Sequence, residues 1–269
     1  MLYRHLIKLL IKERRATMLS LGYRIQVRPE WVVPLVENYG RYFNVMEVHA
    51  NEKFMRDVYI KSFNAFCGRV GVKQLAFQLP SKAIIDEKQC ARVCDFMSEM
   101  DDKSTAVMNT YFWGHTDVNE DYLHVIARTV REKGLTFAIE NVPVKRNLIG
   151  YLKALKQCAI KYNFRVSLDI GTLFYSAMLD NVSDARLIAM FQNDPWWKGN
   201  VVLVHFHDYN TKGCFLNFGD GYFAKDFKPV KSILQCLDEN VPVIFKTQVQ
   251  DFGTQGVYET KQFLDLWNE

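Results

Sequence analysis

The sequence predicts a single-domain α/β protein, a (β/α)8 TIM barrel, and three observations carry that prediction. The chain has 269 residues, 49% of them hydrophobic. That suits one such barrel, typically about 250 residues long, and excludes a disordered chain. Eight short apolar runs are spaced along it, with helical patterns between them, and such alternation argues for a parallel sheet. An open doubly wound sheet often advertises itself with a glycine-rich first turn, and "GYRIQVRPEW" is nothing like one. No linker or low-complexity segment divides the chain, so residues 19–269 read as the barrel.

In order, the strand-like runs are "GYRIQV" (22–27), "FNVMEVH" (43–49), "VKQLAFQL" (72–79), "TAVMNTYF" (105–112), "LTFAIEN" (135–141), "FRVSLDI" (164–170), "VVLVHFHD" (201–208) and "VPVIFKTQ" (241–248). Helical spacing appears over 119–134, where Tyr122, Val125, Ile126 and Val130 form an apolar stripe before a glycine stop. It recurs over 147–163 with Leu148, Leu152, Leu155 and Ala159, and over 226–240 with Val230, Ile233, Leu234 and Leu237.

Residues 1–18 precede this pattern as a basic, amphipathic extension. They are too short and too charged to span a membrane and lack a small-residue cleavage site. They suit a membrane surface, a helix capping the fold, or a stretch upstream of a start at Met18. No other run reaches transmembrane length. The net charge is +4, but residues 1–17 hold five basic residues and one acid, so the remainder is neutral. A nucleic-acid partner is therefore not expected. Six cysteines occur without a C-x-x-C pair, which points to reduced thiols and a cytoplasmic protein. Cys90 and Cys94 share a helix face, and packing explains them better than zinc.

Function in a parallel barrel collects at the C-terminal ends of the strands. Reading those ends gives Glu47 and His49, Gln78, then Asn109, Trp113 and His115, Glu140 and Asn141, Asp169, His205 with His207 and Asp208, and Lys246 with Gln248. Charged residues are rare in strand interiors unless paired or functional. Glu140, Asp169 and His205 come from consecutive strands, and two carboxylates with an imidazole suit Mn, Mg, Co or Zn. The same trio also suits a metal-free hydrogen-bonded cluster, and Asp208 suits a loop cap.

Four stretches, "FAIENVP" (137–143), "VSLDIGT" (166–172), "VVLVHFHD" (201–208) and "FGDGYFAKDF" (218–227), resemble successive motifs of the xylose isomerase-like barrel superfamily. That group holds sugar and sugar-phosphate isomerases and epimerases, inosose dehydratases and endonuclease IV. The likeness is best over 119–248. It implies metal ligands at Glu140, Asp169 and His205, and a fourth, acidic ligand on the eighth strand. There this chain offers Lys246, or the neutral Gln248 on the same strand face. A charged lysine binds no metal and repels a dication.

Other positions depart from the motifs. Thr172 stands where the resemblance implies histidine, Arg146 where it implies the acid of the epimerases, and "GCFLNFGDG" (213–221) lacks the additional zinc ligands of the endonuclease. The first expectation is a sugar or sugar-phosphate isomerase or epimerase with an altered divalent-metal site. Glu140 and Lys246 would be its catalytic groups, moving a proton beside a carbonyl. Glu47, His49, His115, Arg146, Thr172 and His207 would face the substrate, with Gly219 and Gly221 offering backbone N–H groups to a phosphate or hydroxyl. The second expectation is a metal-free pseudoenzyme or carbohydrate-binding module in which Lys246 replaces the metal. Dehydration, lyase chemistry or a Schiff base at Lys246 comes third.

Overall fold

The computed structural model describes residues 20–25, 45–58, 60–100, 107–114, 118–246 and 252–269, the side chains of 23, 25 and 252–257 excepted. The extension 1–18, His115 and Gln248 lie outside these residues. Ten strands are present among them: β1 (Leu21–Ile25), β2 (Val45–His49), β3 (Gln74–Gln78), β4 (Val107–Phe112), β5 (Thr136–Asn141), β6 (Arg165–Asp169), β7 (Val201–Phe206), β8 (Asp208–Asn210), β9 (Gly213–Leu216) and β10 (Val243–Phe245). Eight close a barrel in the order β1-β10-β7-β6-β5-β4-β3-β2, while β8 and β9 form a separate two-stranded hairpin. Among the described residues helices follow the barrel strands from β2 onward, and the chain is a (β/α)8 barrel.

The barrel strand pairs with a defined register are parallel. Gln78 stands opposite both His49 and Asn109, Glu140 opposite Tyr111 and Ser167, and Phe206 opposite Phe245. Parallel strands buried on both faces favour β-branched and aromatic runs over strict alternation. That explains why β5 and β6 are buried almost throughout, their polar ends included.

The residues gather into two compact units. One holds 24–142 and 149–167, the other 143–148 and 168 onward with the start of β1. In the first unit Phe54, Phe63, Phe77 and Phe96 form an aromatic core with ring centroids 5.6–6.5 Å apart. In the second, the Phe206 ring meets Phe218 and Phe263 at 5.1 Å and Phe223 and Phe245 at 5.5 Å. Both sets are mainly edge-to-face or tilted, the arrangement ring quadrupoles prefer.

The helices follow local rules. Leu148, Leu152, Leu155 and Ala159 of helix Leu148–Tyr162 are all buried, as their spacing predicts. Helix Glu120–Lys133 is acidic in its first turn, basic in its last, and ends at Gly134 in the left-handed region (φ 62°). Its buried face is Leu123, Ile126, Ala127, Thr129 and Val130, turned slightly from the predicted stripe; Tyr122 and Val125 are half-buried. The third predicted helix shortens to Lys228–Leu234 and buries Val230, Ile233 and Leu234, while Leu237 is buried beyond its end. Asn119 caps helix Glu120–Lys133 by accepting the Asp121 N–H at 2.9 Å. Asn119→Ala is expected to cost about 1 kcal/mol, read as a lower denaturant midpoint with an unchanged m-value.

Candidate functional site

Asp169 ends β6 and caps the helix Ile170–Leu179 that follows directly, its Oδ1 accepting the Thr172 N–H at 2.8 Å. The strand therefore passes into a helix with no intervening loop. The same oxygen lies 2.7 Å from His207 Nε2, and Oδ2 accepts a hydrogen bond from Lys246 Nζ, also at 2.7 Å. Asp169, His207 and Lys246 are all buried. Burial alone would raise the Asp169 pKa. The His207 N–H on Oδ1 and the Lys246 ammonium on Oδ2 outweigh it and hold the carboxyl well below the usual carboxylate range.

His207 follows β7 at a bend, so strand alternation no longer sets its direction. Its Nδ1 accepts the Phe215 backbone N–H at 3.0 Å and lies 3.1 Å from the Asp208 carbonyl oxygen. A backbone N–H only donates, so the Phe215 bond selects the tautomer with the proton on Nε2, facing Asp169. The imidazole also packs against the Phe215 ring, with centroids 4.5 Å apart. Phe215 adopts a left-handed φ of 69° to make both contacts. On the opposite side the helix start reaches His207 because residue 171 is glycine: a Cβ there would lie 2.2 Å from Nδ1 and 2.4 Å from the His207 carbonyl oxygen.

Asp208 is a loop clamp. Its carboxylate accepts the N–H groups of Tyr209 (2.8 Å), Phe223 (3.0 Å), Gly221 (3.1 Å) and Gly219 (3.3 Å). The two glycine N–H groups expected to face a phosphate or hydroxyl are thus turned onto a side chain of the same chain. A Cβ at Gly221 would lie 2.3 Å from Asp208 Oδ1, which is why glycine stands there.

A second polar network joins the ends of β1 to β4. Arg24 pairs with Glu47 through Nε and donates from Nη2 to Gln78 Oε1 at 2.6 Å; Asn109 Nδ2 donates to Glu47 Oε1 at 2.8 Å. Glu47, Gln78 and Asn109 are fully buried. Burial pulls the Arg24 pKa down, but the carboxylates of Glu47 and Glu140 more than restore it, so the net shift is upward. Arg24 was not among the expected site residues. Its signal is present in "GYRIQV": a guanidinium inside an apolar run needs a buried partner.

The remaining expected residues sort differently. Thr172, at the position where the motif resemblance implies histidine, is buried with Oγ1 3.5 Å from His207 Nε2. His49 is half-buried and Arg146 is exposed in the loop after β5. Donor atoms of Glu140, Asp169 and His205 lie within 4.8 Å of one another. The trio is therefore close enough to share a cation. Asp169 Oδ2, however, already holds the Lys246 ammonium. A unit-charge pair at 4 Å is worth about 4 kcal/mol at an effective dielectric constant of about 20, and a dication facing that ammonium doubles the repulsion. The donor set as arranged does not fit a divalent metal.

No family model matches the chain, and no curated protein matches it by sequence. Solved structures do. A xylose isomerase domain containing protein from Salmonella typhimurium LT2 superposes with a TM-score of 0.61 at 10% identity, over 94% of this chain and 98% of that one. The chain has the xylose isomerase-like barrel fold. The D-psicose 3-epimerase of Clostridium cellulolyticum H10, solved with D-tagatose, superposes with a TM-score of 0.57 at 12% identity, over 93% and 98% of the two chains. SacUVDE does so at 0.54 and 10%, over 93% and 99%. At such identities the likeness is one of fold, and fold alone does not select a ligand class. Among the described residues no helix is long and apolar enough to cross a membrane.

Proposed function

We propose that this xylose isomerase-like barrel is a metal-independent carbohydrate-binding protein in which the Lys246 ammonium stands where a divalent cation would sit. The observation that carries the reading is the 2.7 Å bond from Lys246 Nζ to Asp169 Oδ2 in a buried setting. An ammonium so placed is a fixed positive charge with a hydrogen-bond donor, suited to the hydroxyl and carbonyl oxygens of a sugar. It is poorly suited to Schiff-base chemistry, which needs a lysine that loses its proton easily. Trp113, directly after β4, and Phe215, in the hairpin strand β9, are large aromatic side chains exposed by 43% and 40%, as sugar-stacking faces would be. The D-tagatose named with the D-psicose 3-epimerase neighbour supports ketoses as the first ligands to try.

The closeness of Glu140, Asp169 and His205 favours a second reading, a sugar or sugar-phosphate isomerase or epimerase using a divalent metal. That reading requires Lys246 to leave Asp169. Calorimetric titration with ketoses and their phosphates, run in a chelator, separates the two. The metal-independent reading expects ketose binding to persist in chelator, with no exchange of substrate C–H hydrogen for solvent deuterium. Binding and exchange that vanish in chelator and return with Mn would establish the second reading instead.

A further inference from the structure

Arg24, Glu47, Gln78 and Asn109 meet in one polar layer, all within the first compact unit. Arg24 and Glu47 form an ion pair, and each holds one amide. Arg24 Nη2 donates to Gln78 Oε1 at 2.6 Å, and Asn109 Nδ2 donates to Glu47 Oε1 at 2.8 Å. A guanidinium only donates and a carboxylate only accepts. The ion pair therefore fixes which way round both amides stand. Gln78 must turn its oxygen to Arg24, and Asn109 its nitrogen to Glu47.

What is left over is fixed as well. Gln78 keeps its NH2 donor, and Asn109 keeps its carbonyl oxygen. Among the described residues, Gln78 Nε2 and Asn109 Oδ1 make no hydrogen bond with the protein, although both side chains are fully buried. A polar group buried without a partner is destabilising. Gln78 and Asn109 stand opposite each other in the β3–β4 register, and neighbouring strands lie about 4.8 Å apart. Both amides reach the same ion pair, so they lie on one side of the sheet. A donor and an acceptor are thus left side by side near the strand ends, where a parallel barrel collects its function.

Charge narrows what could satisfy them. An anion would suit Gln78 Nε2 but face the Asn109 oxygen and Glu47. A cation would suit the Asn109 oxygen but face the Gln78 NH2 and Arg24. A neutral group that both donates and accepts meets neither conflict, and a hydroxyl is such a group. The geometry points to Gln78 and Asn109 as a hydroxyl-binding subsite: one hydroxyl of a polyol donates its hydrogen to Asn109 Oδ1 and accepts a hydrogen from Gln78 Nε2. The assignment rests on the carbohydrate-binding reading and adds a rule of selection. A ligand whose group at that position lacks either half is rejected.

Titration calorimetry, run in chelator and again with Mn, tests it. The probes are D-tagatose and D-fructose, then the monodeoxy and monoamino analogues of the tighter binder. In the unaltered protein one deoxy analogue should bind more weakly by about tenfold or more, as the loss of a buried hydrogen bond demands. The ammonium at the same carbon should bind no better. Gln78→Glu keeps an oxygen for Arg24 Nη2 and exchanges the NH2 for a second acceptor. It should invert the order at that carbon alone, so that the amino analogue outbinds the parent sugar. A reading that needs no variant comes from NMR: the Gln78 side-chain amide signals should shift with the parent sugar and not with the deoxy analogue. Sugar binding with those signals unmoved, or with the order unchanged in Gln78→Glu, would overturn the subsite and leave the carbohydrate-binding reading standing. An inverted order seen only with Mn would keep the subsite and overturn the metal-independent reading. No binding of either ketose in either arm would overturn both.

Discussion

Lys246→Met is expected to lower the stability of the folded protein by about 3–5 kcal/mol at neutral pH, the usual cost of removing one partner from a buried ion pair. Methionine roughly preserves the volume, so the loss isolates the charge. Asp169 would remain buried with His207 on Oδ1, but Oδ2 would lose the Lys246 ammonium. The sign of the pH dependence follows from the depressed Asp169 pKa. A carboxyl whose folded pKa lies below its unfolded value, about 3.9, contributes stability above that value and loses it as pH falls through the folded one. Without Lys246 the folded pKa rises and the contribution shrinks. The gap between the two proteins should therefore be widest at neutral pH and narrow below about pH 4. Urea melts at several pH values measure it. An equal gap at every pH would mean that Lys246 stabilises by packing and not by charge.

Gly171→Ala is the second large effect. The added methyl would stand 2.2 Å from His207 Nδ1, 2.3 Å from its Cε1 and 2.4 Å from its backbone oxygen. The imidazole has nowhere to turn, because Nε2 is held by Asp169 and Nδ1 by the Phe215 N–H. Overpacking in a core costs about 1–3 kcal/mol, sometimes more, and a clash that includes backbone lies at the upper end. The expected result is a lower melting temperature together with loss of the ligand binding proposed for the site. Gly68→Ala is the control. It lies in helix Ile60–Arg69 with nothing within 4 Å of the new Cβ, and should be neutral or stabilising by up to about 1 kcal/mol. Equal losses from both substitutions would remove the claim that Gly171 is there for His207.

The architecture was legible because strand and helix periods are local. All eight barrel strands overlap their predicted runs, with β10 described over Val243–Phe245. The β8–β9 hairpin was not legible. It interrupts "VVLVHFHD" after Phe206, and nothing in the alternation of that run announces the bend. The consequence falls on His207, which was expected to face the substrate and instead points its Nε2 at Asp169. Gly219 and Gly221 show the same limit: a glycine pair tells that backbone comes close to something, and here that something is the Asp208 carboxylate.

At the site, residue types were readable but their partners were not. Lys246 in "VIFKTQ" and Arg24 in "GYRIQV" are both cations inside apolar runs, and each meets a buried carboxylate, Asp169 in one unit and Glu47 in the other. Which cation meets which acid depends on strand register and on where β6 gives way to a helix, and neither is encoded locally. The opening of that helix also recasts Thr172. It marks a departure from the histidine of the motif, and its backbone N–H donates to Asp169 Oδ1, which caps the helix.

The central claim is that Lys246 stands in the place of the metal, and metal content tests it most directly. Protein purified without chelators and dialysed against Mn, Co, Zn and Mg should carry less than stoichiometric metal. Lys246→Glu, which adds a carboxylate beside Glu140, Asp169 and His205, should take up about one equivalent, in keeping with the carboxylate and imidazole donors such cations accept. One equivalent of divalent metal in the unaltered protein, lost on substitution of Asp169, would contradict the account.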